Sequence, residues 1–268
     1  MISGLQRRTL IRAAALALAV PHVYSANAEI AISTGINRSG RLRALSQRSA
    51  KAYTQEFLGV LPERAREIAE TAQRLIGANL EEIVKANPPT EIARLVKSAV
   101  EAAAELRVLM GRARTKDGTL AVSRQADVLL AAAEQATGAF ESLNKAASAR
   151  LINMAARQRM LSQRMTKNHF LIAVGYPAKA HRDAIEADRA TFSQSLVQLQ
   201  NASLSTPGIR NELALAQGQW AFFDAALSKP ADADSLRNVA TTSERLLETM
   251  NNLTELYDAA LKDLLGKA

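Results

Sequence analysis

Cysteine is missing from the whole chain, which excludes disulfides, thiolate metal sites, iron–sulfur clusters and a lipidated N-terminus. Aromatic residues make up only 4% of it, with Trp220 the single tryptophan, so stacking platforms for single-stranded nucleic acid are lacking. Histidine is almost as scarce, with His22, His169 and His181 the only three. Neither His169 nor His181 has a glutamate three residues before it, and the E-x-x-H motif of di-iron bundles is therefore absent. Zinc-ligand spacings, a nucleophile elbow and a phosphate loop do not occur in the sequence either. Acid pairs such as Glu63–Glu67 and Glu67–Glu70 stand at helical spacing and read as solvated faces, not catalytic carboxylates. No cofactor is expected, and the pattern argues against an enzyme. Strand-like runs of Val, Ile and Thr are lacking too. What remains is 48% apolar and dominated by Ala and Leu, a helical composition. The 268 residues suffice for one large domain or two small ones.

Net charge is +8, but residues 1–28 hold Arg7, Arg8 and Arg12 and no acid, leaving 31 basic against 26 acidic residues beyond them. That excess is modest and interleaved with acids, so no nucleic-acid stripe is indicated. The first 28 residues have three parts. Basic "QRRTLIR" at 6–12 precedes the apolar run Ala13–Val20, and "SANA" offers Ala26 and Ala28 as small residues for cleavage before Glu29. This pattern predicts an export signal whose core is too short to span a bilayer. Paired Arg7–Arg8 resembles a twin-arginine leader, with an ordinary secretory leader as the alternative. Either route predicts a periplasmic or secreted mature protein. No later stretch reaches 18 apolar residues, so no further membrane span is expected.

Breakers divide the rest: Gly59 with Pro62, "NPPT" at 87–90, "KDGT" at 116–119, "GYP" at 175–177, "STPG" at 205–208 and "KPADADS" at 229–235. Thr90, Ser205 or Thr206, and Ser235 are the expected N-caps. Between breakers, apolar residues recur every three or four positions. The clearest seam is Leu236, Val239, Ser243, Leu246, Met250, Leu253, Tyr257, Ala260, Leu264, interrupted only at Ser243. A weaker one runs Leu61, Ala65, Ile68, Ala72, Leu75, Asn79, Ile83.

Two segments match across an offset of 116 residues. "INRSGRLRALSQR" at 36–48 and "INMAARQRMLSQR" at 152–164 share eight of thirteen positions. The same offset carries Gly59 to Gly175, Thr90 to Thr206 and Thr119 to Ser235, which indicates two copies of one unit. The expected helical segments are 30–58, 62–86, 90–115 and 119–149, then 150–174, 178–203, 208–228 and 232–266. We therefore expect an all-α fold of two tandem antiparallel four-helix bundles, 29–149 and 150–268, behind a leader at 1–28. With no breaker between 149 and 150, one long helix of about 80 Å is expected to join them.

The matched segment places three arginines, Arg157, Arg159 and Arg164, beside Met160, Leu161 and Met165. On a helix, Ile36, Gly40, Arg43 and Gln47 form one stripe, as do Ile152, Ala156, Arg159 and Gln163. Gly40 and Ala156, one turn before the arginine, would let a neighbouring helix pack closely and draw the guanidinium into a seam. Arg48 and Arg164 fall near its edge, and Asn37 and Asn153 add amides earlier. The motif contains no acid. Were Arg43 and Arg159 to face each other at about 7 Å, their repulsion at an effective dielectric near 20 would be about 2 kcal/mol. A small anion between them would remove that cost and take planar, charge-assisted hydrogen bonds from both. The opposing expectation is that the arginines pair with acids such as Glu67, Glu70 or Glu186.

"INMAARQRMLSQRM" at 152–165 resembles the signature of the PilJ-type sensory domain, the extracytoplasmic part of type IV pilus chemotaxis transducers. That domain is related to the sensor region of nitrate/nitrite-responsive histidine kinases. The first copy matches at Ile36, Asn37, Gly40, Arg43, Leu45, Ser46, Gln47 and Arg48, with Ala44 in place of the family's Met, and Ala156 replaces the usual Gly in the second. The resemblance implies a helical bundle that binds a small oxyanion, nitrate or nitrite, at a two-fold interface. The role falls on Arg43 and Arg159, with Arg48 and Arg164 in support. It also implies a signalling partner, for which a membrane-bound sensor kinase, a chemoreceptor or a transporter would serve; a site between the chains of a homodimer would meet the same requirement. The competing function is a ligand-free helical scaffold or adaptor in the cell envelope.

Overall fold

A computed structural model describes residues 20–143 and 147–266 of the chain, with side chains over 32–143 and 149–264. Most of the expected leader, residues 1–19, lies outside them. The regular secondary structure of the described residues is all α-helical, in eight helices. These are α1 (Val20–Phe57), α2 (Pro62–Lys85), α3 (Thr90–Met110), α4 (Lys116–Leu143), α5 (Ala147–Val174), α6 (Ala178–Gln200), α7 (Pro207–Leu227) and α8 (Ala233–Gly266). Val20–Ala28, the end of the expected leader, belongs to α1. Among the described residues no helix is long and apolar enough to cross a membrane.

The glycine breakers act as helix stops of one design. Gly59 and Gly175 both have positive φ, 69° and 95°, a conformation in which a Cβ would be strained. Around each, two backbone bonds close the helix: Gly59 N–H to Glu56 O and Val60 N–H to Gln55 O, and likewise Gly175 N–H to Ile172 O and Tyr176 N–H to Leu171 O. Both satisfy carbonyls that the last turn leaves free. The N-caps are less uniform. Thr206 Oγ1 accepts from Ile209 N–H, with Pro207 at the first helical position. Thr90 instead opens α3 behind Pro89, without a side-chain cap. Ser235 sits one turn inside α8, where its N–H donates to Asp232 Oδ1. "KDGT" is not a break but the first turn of α4, started by Thr115 Oγ1 accepting from Gly118 N–H.

Cross-helix pairs fix the directions. On α1 and α4, Ser39 meets Thr137, Arg43 meets Glu134 and Gln47 meets Asp127, so the two helices run antiparallel. On α5 and α4, Asn153 meets Glu141, Arg157 meets Glu134 and Lys167 meets Asp127, again antiparallel. Helices α1 and α5 are therefore parallel, and they pack directly on each other. This corrects the expected long helix. In a straight helix Asp127 and Lys167, forty residues apart, would be separated by about 60 Å, yet Lys167 Nζ lies 2.6 Å from Asp127 Oδ1. Residues 144–146 lie outside the described ones. The helices thus form two sets of four, side by side, in which α4 and α8 each pack against both α1 and α5.

The expected seam on α8 is buried from Leu236 to Tyr257. Its one polar interruption, Ser243, accepts a hydrogen bond from the buried ammonium of Lys51 on α1. A hydroxyl among leucines would be costly without such a partner. Leu264, at the seam's end, is exposed.

Candidate functional site

The repeated Ser-Gln pair is structural. Ser46 and Ser162 donate to the carbonyls of Arg43 and Arg159 on their own helices. Gln47 Nε2 then donates to Ser46 Oγ and to Ala126 O on α4, and Gln163 Nε2 to Ser162 Oγ and Ser243 O on α8. Each pair ties a central helix to its antiparallel neighbour and fixes the rotation that aims the arginine one turn earlier.

Gly40 and Ala156 lie against each other between α1 and α5. A Cβ on Gly40 would stand 3.1 Å from Ala156 Cβ, 3.1 Å from Arg43 Nη2 and 3.7 Å from Arg159 Nη2. Both guanidinium groups thus reach the same spot between the helices, and both are buried, at 0% and 1% exposure. Gly40→Leu is expected to lower stability by about 1–3 kcal/mol, because the helices have no room to repack. Gly77→Ala, where nothing lies within 4 Å, should instead raise it by up to about 1 kcal/mol through helix propensity alone. Urea midpoints of the two variants would show opposite signs.

The asparagines cross over. Arg43 Nη2 donates to Asn153 Oδ1 at 2.7 Å, and Arg159 Nη2 donates to Asn37 Oδ1 at 3.1 Å. Beyond this reciprocity the arginines differ. Arg43 Nη1 makes a 2.6 Å ion pair with Glu134 of α4, which also meets Arg157 at 3.4 Å. Arg159 has no carboxylate within ion-pair distance among the described residues. Its remaining contacts are long ones, to Asn251 Oδ1, Asn37 O and its own helix's Ala156 O, each 3.4 Å. The expected acid-free seam is therefore acid-free only on the Arg159 side. Burial lowers the pKa of both arginines. For Arg43 the charge of Glu134 opposes that shift. For Arg159 the nearby charges of Arg41, Arg43 and Arg38 add to it against the opposing charge of Glu255, and the pKa falls to about 9. Such a buried cation without a counter-ion is costly to the fold.

Arg48 and Arg164 are turned away from this seam. Arg48 pairs with Glu244 of α8 through Nε and Nη2, and Arg164 pairs with Asp188 of α6 in the same two-pronged way. A bidentate carboxylate neutralises each guanidinium and uses its planar donors, which removes the supporting role expected for them at the anion. Of the acids suggested by sequence, Glu67 pairs with Arg64 and Glu186 with Arg189 instead. Three residues not among the expected ones complete the site: Glu134 and Asn251, outside the motif, and Arg41, inside it. Between α4 and α8 the matching contacts lie 117 positions apart, not 116: Ala126 O and Ser243 O accept from the two glutamines, and Glu134 and Asn251 meet the two Nη1 groups, so the acid of one half is an amide in the other.

An open groove of about 550 Å³ between α1, α2 and α8 is lined by Arg48, Gln55, Arg64, Glu244 and Arg245, among others, and reaches Asn251. No group of three metal-binding side chains occurs among the described residues.

The profile of the PilJ family, described as the type IV pili methyl-accepting chemotaxis transducer N-term, matches residues 140–242. The matched stretch spans α5 to α7 whole and includes Asn153, Arg159 and Arg164. The PilJ domain is a domain of signalling sensors. Neither a curated protein nor a solved structure matches the chain.

Proposed function

We propose that this protein is a periplasmic sensory module that binds a small oxyanion, nitrate or nitrite by resemblance, in the seam between α1 and α5. The observation that carries the reading is Arg159: fully buried, without a carboxylate, and crowded by other arginines. The anion would lie against Arg159 with Asn37 and Asn251 beside it, approaching from the groove that ends on Asn251. It would supply the missing negative charge in a site of low dielectric, where charge-assisted bonds are strongest. Closing the 3.4 Å contact to Asn251 draws α8 toward α5, a ligand-linked displacement that a membrane-bound kinase, chemoreceptor or transporter could read. In this reading residues 1–28 are an export leader, 29–149 and 150–268 are two related units, and the protein binds and signals without catalysing a reaction.

Calorimetric titration of the purified protein with nitrate, nitrite, chloride and sulfate tests this. Heat from nitrate or nitrite that disappears in Arg159→Ala is expected; no heat from any of the four ends the reading. The alternative, a ligand-free scaffold that docks an envelope protein, draws support from Arg43, Arg48 and Arg164, whose charges the protein's own acids already balance.

A further inference from the structure

We infer that Glu134 occupies one half of the anion site and so sets its charge selectivity, admitting one singly charged oxyanion and refusing a doubly charged one. The inference rests on the anion-binding reading above. Its basis is the place where the two sets of helices differ. Arg43 and Arg159 make reciprocal bonds to Asn153 and Asn37, but Nη1 meets a carboxylate at 2.6 Å in one case and an amide oxygen at 3.4 Å in the other. Asn251 holds the position on α8 that Glu134 holds on α4, just as Ser243 there matches Ala126, the two carbonyls that accept from Gln163 and Gln47.

The local charges follow from these pairs. Arg38 is matched by Glu82 at 2.7 Å. Arg157, Arg41, Glu141 and Glu255 also act on the pair but reach solvent, Arg157 at 46% side-chain exposure, and water screens them. Inside the seam two guanidinium charges face one carboxylate, a surplus of one positive charge. Burial penalises any imbalance, so the ligand that fits has a single negative charge. A sulfate would overshoot and meet Glu134 as a like charge. Glu134 is itself at the rim, 39% exposed, with Arg157 holding it from the solvent side. Removing its charge raises the surplus to two, with both Nη2 groups within 4 Å of one point beside Gly40, so one doubly charged ion could meet both.

The test titrates potassium nitrate and potassium sulfate into wild-type protein, Glu134→Gln and Glu134→Asn. The asparagine variant copies the other half and guards against a packing defect peculiar to glutamine. Wild-type protein is expected to bind nitrate in preference to sulfate, and both variants to shift that preference toward sulfate by about tenfold or more. An unchanged preference in both variants, with nitrate still binding wild-type protein, overturns the role of Glu134 and leaves the anion site standing. Binding confined to the variants upholds that role and ends the nitrate reading for the natural chain. Silence in all three proteins overturns both.

Discussion

An Arg159→Met protein is expected to be more stable than wild type when no anion is present, and to lose the stabilising response to nitrate altogether. Most substitutions at a fully buried position destabilise; this one should not, because the guanidinium has no carboxylate to leave behind. Methionine fills similar volume with an adaptable apolar chain, and the residues one turn before it on the same helix, Ala155 and Ala156, are buried apolar groups. Replacing a buried charged group by an apolar one of like size gains about 1–4 kcal/mol in favourable cases, which for a chain of this length raises Tm by several degrees. The gain identifies Arg159 as a residue held for function at the expense of stability. Thermal melts with and without 10 mM nitrate, an amount of about the size needed for a weak site, decide the matter. A lower Tm for the variant would show that the guanidinium is structural, and the anion site would lose its main support.

Glu244 behaves oppositely. Its carboxylate bridges Arg48 and Lys51, and Lys51 is completely buried. Glu244→Gln would strand that ammonium and a mostly buried guanidinium, at an expected loss of about 3–5 kcal/mol. Burial alone would raise the pKa of Glu244, but Lys51 and Arg48 outweigh it and bring it down to about 2. A carboxylate held below its ordinary value of 4.5 stabilises the fold fully above that pH. The contribution, about 3 kcal/mol, is lost as pH falls from 4.5 toward 2. Urea unfolding at pH 7 and at pH 3 should therefore show wild-type protein weakening in acid. The variant, already weak at pH 7, should lose less on the same change. Equal midpoints for the two proteins at pH 7 would refute the ion-pair bridge.

The helices themselves could be read from sequence because their signals are local. Glycine at 59 and 175, and proline at 62 and 207, act on the backbone where they stand. The reversal between α4 and α5 had no such signal, since neither glycine nor proline occurs from 139 to 174. It is imposed by pairs such as Lys167–Asp127 that close only in the folded protein. The site divides in the same way. Gly40, Arg43 and Arg159 could be placed from spacing within one helix, as could the asparagines. Glu134 could not, because it reaches Arg43 from 91 positions away. Arg48 and Arg164 show that shared residues need not share surroundings, for one meets α8 and the other α6.

Parallel packing of α1 on α5 determines how the proposed anion seam responds to dilution. Both walls belong to one polypeptide, so the seam does not come apart when the protein is scarce, as one built between separate subunits would. Occupancy should depend on the concentration of ions alone, whatever the copy number of the protein in its compartment. Either wall can also change by mutation without altering the other, which is how one face can have an acid where its counterpart has an amide.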